Sequence, residues 1–125
     1  MFGSPTPVLR SFDEARTKAF YLDFLGFDLV FEHRFEPGMP LYMGIHKGAC
    51  DLHLSEHHGD ATPGSAVRIP LDDVTAYMNI LRAKDFGNAR PGIPEETPWG
   101  SHEITITDPA GNRLTFTSEV SGQTK

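Results

Sequence analysis

The sequence predicts an α+β fold. Two βαβββ modules together form a curved, mostly antiparallel eight-stranded sheet with the helices outside. Three observations carry this. The chain reads strand–helix–strand–strand–strand twice over. Asp13 and Asp73 lie at the two helix starts and Gly26 and Gly87 at the two helix ends, an internal offset of about sixty residues. Strict alternation of apolar and polar residues between Glu103 and Phe116 closes the chain as a hairpin. One such half has too little core to stand alone, so the two pack together as a single domain over 1–125, with module one at about 5–58 and module two at about 64–118.

Taken in order, Met1 to Pro7 is short, carries two prolines and reads as extended. Val8 and Leu9 open a strand. Ser11 with Glu14 three residues later is a capping-box pattern for a helix beginning near Phe12. Ala15, Ala19, Phe20, Leu22 and Phe24 form its apolar stripe, and Gly26 stands where a left-handed C-terminal residue is wanted. Three antiparallel strands follow: Asp28 to Phe35, Leu41 to His46 after Glu36-Pro37-Gly38, and Ala49 to Glu56 after the tight Lys47-Gly48 turn. The polar stretch His57 to Gly64 is the linker between halves.

The second half begins with a strand from Ala66 to Leu71. Asp72 or Asp73 caps a helix with the stripe Val74, Tyr77, Met78 and Leu81, stopping near Phe86-Gly87. The loop from Ala89 to Pro98 has three prolines and holds a short edge strand at most. In the closing hairpin, Ile104 and Ile106 share one face while Glu103, Thr105 and Thr107 share the other. Asp108-Pro109-Ala110-Gly111-Asn112 supplies the turn, since Pro109 presets φ and Gly111 accepts φ > 0. Residues beyond Thr117 are mostly polar and expected to fray.

Composition narrows the function. The formal net charge of −6, with 11 Lys and Arg never in a block, argues against nucleic acid, because a phosphate-binding surface needs a basic stripe. That balance mildly favours cationic ligands. The lone cysteine, Cys50, cannot form an intrachain disulfide, which suits a reducing cytoplasm. No apolar run is long enough for a signal peptide or a membrane span, so the expected location is cytoplasmic. No Gly-rich phosphate loop, Cys-x-x-Cys or His-Glu-x-x-His is present.

Thr97-Pro98-Trp99-Gly100, a short strand, Asp108-Pro109-Ala110-Gly111-Asn112 and a final strand resemble the end of bleomycin resistance proteins. Phe20-Tyr21-Leu22-Asp23-Phe24-Leu25-Gly26-Phe27 resembles the helix ending in Leu-Gly-Phe of the same vicinal oxygen chelate superfamily, which also holds glyoxalase I and the extradiol dioxygenases. The likeness runs from about Pro7 to Phe116. It implies the same paired βαβββ modules. In metal-using members it also implies ligands on the first and last strands of each module. Counted from fixed landmarks, three of these positions fall on Thr6, Ala66 and Thr115, and none is a competent ligand for a divalent ion. Asp51 or His53 could occupy the fourth, and one ligand alone does not hold an ion.

The other candidates are weaker. His53 and His57, four extended residues apart, span roughly 13 Å, too far for one ion that needs both at about 2 Å. In a loop, His57 and His58 can meet Asp60 about an ion; a solvated polar turn is the plainer reading. Cys50 reads as a small buried hydrophobe within a strand. Ser55 and Glu56 face opposite ways, so they cannot act together, whereas His53 and Ser55 share a face and line a polar pocket. Phe31, Phe35, Tyr42 and Trp99 fall near turns and strand ends, where aromatics stack on planar ligands. The resemblance adds that Phe35, Ser55 and Trp99 match groove-lining positions, in grooves that lie between two subunits. It also implies that His102 replaces a common Arg at the polar end of the pocket.

The function expected is therefore that of a small-molecule binding protein similar to bleomycin resistance proteins. A homodimer would sequester a planar or cationic ligand through Phe31, Phe35, Tyr42, His53, Ser55, Trp99, His102 and Thr115. No metal, cofactor or catalytic residue is called for. The alternative is a metal-dependent glyoxalase-like lyase or isomerase with a non-standard His/Glu site, and a binding module for a cellular metabolite is a third.

Overall fold

The computed structural model describes residues 1–84 and 94–119. Its eight described strands fall into two four-stranded sheets, and two helices accompany them. The first module comprises β1 (Val8–Arg10), α1 (Glu14–Lys18), β2 (Asp28–His33), β3 (Tyr42–Lys47) and β4 (Cys50–Ser55). The second comprises β5 (Ala66–Pro70), α2 (Val74–Ala83), β6 (Glu95–Glu96), β7 (Ser101–Thr107) and β8 (Arg113–Glu119). The sheet orders β1-β4-β3-β2 and β5-β8-β7-β6 repeat one another: first and last strands of a module pair in parallel, and the other neighbours are antiparallel. The Phe86-Gly87 helix stop and the beginning of the Ala89–Pro98 loop lie outside the described residues. No described helix is long and apolar enough to cross a membrane.

Asp13, not Ser11, is the N-cap of α1: its side chain accepts from the Arg16 N–H at 3.0 Å. Ser11 is buried, and its own N–H donates to the Ser55 carbonyl at 2.9 Å, so it is spent on holding β1 to β4. The helix then widens into π-helical turns over Ala19–Phe24. That widening brings Phe20, Tyr21 and Phe24 to the interior together. Gly26, at φ +88°, ends the run as its missing Cβ allows.

The chain divides into two compact units. One is Met1–Ser65 with Asp108–Asn112; the other is Ala66–Thr107 with the chain from Arg113 onward. In the first unit, alternate residues of β2 fix which face the helix covers. Glu32 accepts from Lys18 at 2.9 Å, and Arg34 just beyond β2 pairs with Glu14. Glu32 is in register with Met43, and Met43, Ile45, Leu52, Leu54 and Leu9 are buried. Phe31, His33, Tyr42, Gly44 and His53 therefore belong to the opposite face.

The turn Asp108–Asn112 completes the first unit. Asp108 Oδ1 accepts from the Ala110 and Asn112 N–H groups, and Oδ2 accepts from Asn112 Nδ2 at 2.9 Å and the Tyr21 hydroxyl at 2.6 Å. Asn112 Nδ2 also donates to the Arg10 carbonyl, and its Oδ1 accepts from the Ser65 N–H. Tyr21 and Asn112 are fully buried. Burial first, then the Asp108 charge and hydrogen bond, push the Tyr21 phenol well above its ordinary value.

In the second unit, Asp73 caps α2 by accepting from the Ala76 N–H at 3.0 Å. The Val74 N–H donates to Ser118 Oγ. Val74, Met78 and Leu81 are buried with Ile69, Ile106, Leu114 and Phe116, and Tyr77 packs edge-on against Phe116. The other face of β7 and β8 carries Glu103, Thr105, Thr115 and Thr117.

Candidate functional site

Three of the residues singled out from sequence form one aromatic cluster on the helix-free face of the first sheet. Phe31 and Tyr42 lie nearly parallel, 6.2 Å between ring centroids at 15°. The His53 ring stands edge-on to both, 5.2 Å from Phe31 and 5.3 Å from Tyr42. The Tyr42 hydroxyl and His53 Nδ1 are 2.8 Å apart, which fixes the imidazole against the phenol. Burial, and then the Asp60 charge, raise the Tyr42 phenol above its ordinary value.

Gly44 makes this arrangement possible. It pairs with Phe31 on one side and His53 on the other, and a Cβ there would stand 2.3 Å from Phe31 Cε2. Without a side chain, Gly44 lets the phenyl ring lie flat across the sheet. Phe31 remains 39% exposed. Phe35 forms a second group beyond β2, exposed and edge-on to His33 at 5.0 Å and His57 at 6.0 Å. A shallow depression lined by Glu32 to Pro37 lies beside it.

Ser55 is placed differently. Fully buried, its hydroxyl donates to Asp60 Oδ2 at 2.6 Å and accepts from the His57 N–H at 3.1 Å. It anchors the loop after β4. Asp60 is correspondingly engaged, and among the described residues no three His, Cys, Asp or Glu side chains gather as a metal site. Cys50 is half-buried, and burial followed by the Asp51 charge raises its thiol, away from a reactive thiolate.

Trp99, His102 and Thr115 lie in the second unit. Trp99 is 70% exposed, on a turn tied by the Thr97 N–H to the Ser101 carbonyl at 2.7 Å and by the Ser101 N–H to Thr97 Oγ1 at 3.1 Å. Its indole N–H donates to Glu103 Oε2 at 3.2 Å. The same oxygen accepts from Ser101 Oγ at 3.2 Å and Thr117 Oγ1 at 3.4 Å, and it pairs with the Arg68 guanidinium. Arg68 above all holds the Glu103 carboxyl below the usual carboxylate range; the Trp99 and Ser101 bonds add to this against a partial loss of hydration. His102 points to the Ile104 and Ile106 face, 3.8 Å from Glu96, and so away from Glu103. Thr115 shares the Glu103 face and bonds Thr105 Oγ1 at 2.7 Å.

The three residues that the resemblance places at metal-ligand positions do not suit a divalent ion. Ala66 offers a methyl group, the Thr115 hydroxyl is turned to Thr105, and Thr6 offers only an alcohol. Gly44 and Glu103 are the two residues that sequence reasoning passed over. Period-two alternation put Glu103 on the right face, but nothing in the sequence marked the four donors that converge on it.

The strand order repeated in the two sheets points to the class. The chain belongs to the glyoxalase superfamily, whose family description, glyoxalase superfamily protein, matches residues 1–123. Among solved structures it is similar to a bleomycin resistance determinant encoded on the transposon Tn5, at 27% identity and a TM-score of 0.72, over 94% of this chain and 98% of that one. It is similar also to the bleomycin-binding protein of bleomycin-producing Streptomyces verticillus, complexed with copper(II)-bleomycin, at 26% identity and a TM-score of 0.70 over 98% of each chain. The fold is shared with TnmS3, an antibiotic binding protein from Streptomyces sp. CB03234, at 22% identity and a TM-score of 0.69 over 95% of this chain and 98% of that one. No curated protein matches the sequence.

Proposed function

We propose that this protein sequesters a planar or cationic small molecule by stacking and hydrogen bonding, with no bond made or broken. The observation that carries the reading is the Phe31–Tyr42–His53 cluster laid over Gly44. Aromatic faces left partly open on a sheet are what a flat ligand needs, and the phenol and imidazole supply polar groups at the edge. A net charge of −6 favours a cationic guest. The likeness to two proteins described by their handling of bleomycin, at 26% and 27% identity, supports the same ligand class here.

In this reading the working form is a homodimer, with a groove between copies to which Phe35 and Trp99 contribute exposed rings. The test is titration of the purified protein with bleomycin, copper(II)-bleomycin and the flat dye cation proflavine, by calorimetry and by the fluorescence of Trp99, the single tryptophan. Saturable binding by at least one probe is expected, weakened about tenfold in Phe31→Ala, the equivalent of losing one aromatic stacking contact. Heat and fluorescence that stay flat with all three probes refute sequestration. Light scattering on the eluting protein should give twice the chain mass; a monomer at every concentration removes the shared groove.

A further inference from the structure

Trp99 presents a contradiction that the geometry resolves. A tryptophan side chain gains most from burial, yet this one is 70% exposed. Free in solvent, such a ring samples many rotamers, and ordering it on ligand binding costs affinity. Here the ring is tied without being covered. Its N–H donates to Glu103 Oε2, and that oxygen is itself held from three other directions by Arg68, Ser101 Oγ and Thr117 Oγ1. The Glu103 side chain is only 14% exposed, so the anchor is set in the sheet while the indole projects from it. Thr97, Ser101 and Gly100, at φ +87°, fix the turn that carries Trp99.

We infer that Glu103 is the positioning residue of a stacking platform at Trp99, holding the indole by its N–H so that the ring faces stay open to a planar cation. The inference rests on the sequestration reading for its ligand class. With its N–H occupied, the indole has no hydrogen bond to offer, so the platform selects by shape and by attraction to the electron-rich face. Arg68 neutralises Glu103 itself. Glu95, exposed and in register with Glu103 across β6 and β7, has no ion-pair partner among the described residues and leaves a negative charge on the same side.

Because Trp99 is the only tryptophan, its signal reports the platform without interference. On the unaltered protein, the indole N–H resonance should exchange with solvent about tenfold slower than in free tryptophan, the protection expected of one charge-assisted hydrogen bond. In Glu103→Ala, Trp99 anisotropy should fall, acrylamide quenching should rise, and proflavine affinity should drop about tenfold with far-UV circular dichroism unchanged. Glu103→Gln, which keeps an acceptor for the indole, should restore most of the anisotropy. Exchange as fast as in free tryptophan overturns the inference. So does an anisotropy unchanged in Glu103→Ala, or one that falls while proflavine affinity stays at the wild-type value. Exchange and anisotropy are read on the free protein, so they decide the tether even if no probe binds; a wild-type protein that binds none of bleomycin, copper(II)-bleomycin and proflavine refutes sequestration instead.

Discussion

Removing one oxygen atom, in Tyr21→Phe, tests how the first unit is held together. The Tyr21 hydroxyl is fully buried and donates to Asp108 Oδ2 at 2.6 Å. A hydrogen bond to a carboxylate contributes about 1.5–3 kcal/mol net, and the lower end applies because Asp108 retains the Asn112 amide and two backbone N–H groups. The expected loss is therefore about 1.5 kcal/mol. Asp108→Ala strands four donors at about 1 kcal/mol each, so it should cost about 4 kcal/mol. The double variant strands only three donors and should cost about 3 kcal/mol, which leaves a coupling energy of about 2.5 kcal/mol between the two sites.

Urea unfolding followed by far-UV circular dichroism measures all three variants. A pH series adds an independent check. The folded-state phenol titrates far above its unfolded value of about 10, so its contribution is complete below that pH and declines as pH rises beyond it. Wild type should thus converge on Tyr21→Phe in alkali. A coupling energy under about 0.5 kcal/mol, or a gap between the two that persists unchanged above pH 10, would refute the argument.

Two other outcomes follow from local geometry. Gly44→Ala drives a methyl into the Phe31 ring, which can swing toward solvent; stability should change by less than about 1 kcal/mol, while proflavine or bleomycin affinity falls about tenfold by titration. Wild-type affinity in that variant would show that the flat lie of Phe31 does not matter. Asp73→Ala should cost about 1 kcal/mol in urea unfolding and Asp72→Ala almost nothing, since Asp73 alone accepts from the Ala76 N–H; equal losses would reassign the cap.

Much of the architecture was legible because it rests on local rules. Alternation from Glu103 to Phe116 fixed the register of β7 and β8, and Asp73 and Gly26 bounded helices by their chemistry. Ser11 misled, because a capping box is a local signal and the Ser11 N–H was claimed by Ser55, a partner far along the chain. The aromatic cluster of the candidate site was legible by residue type, aromatics near strand ends, but not by its packing. Ser55 reads as the lining of a polar pocket, and only the fold shows its hydroxyl donating to Asp60. His102 reads, by resemblance, as the polar end of the pocket; the structure sets its ring 3.8 Å from Glu96. Glu103 looked like one more surface carboxylate, and only tertiary contacts gather four donors around it.

The five-residue turn that belongs with the first unit also has a bearing on synthesis. A ribosome delivers the chain from its amino end, and everything else in that unit has been made by Ser65. Until Asp108 and Asn112 follow, the Tyr21 hydroxyl, the Arg10 carbonyl and the Ser65 N–H have no native partners. The amino-terminal half thus leaves the exit tunnel unfinished, and a nascent fragment cut anywhere before Asp108 should remain protease-sensitive until the last hairpin arrives.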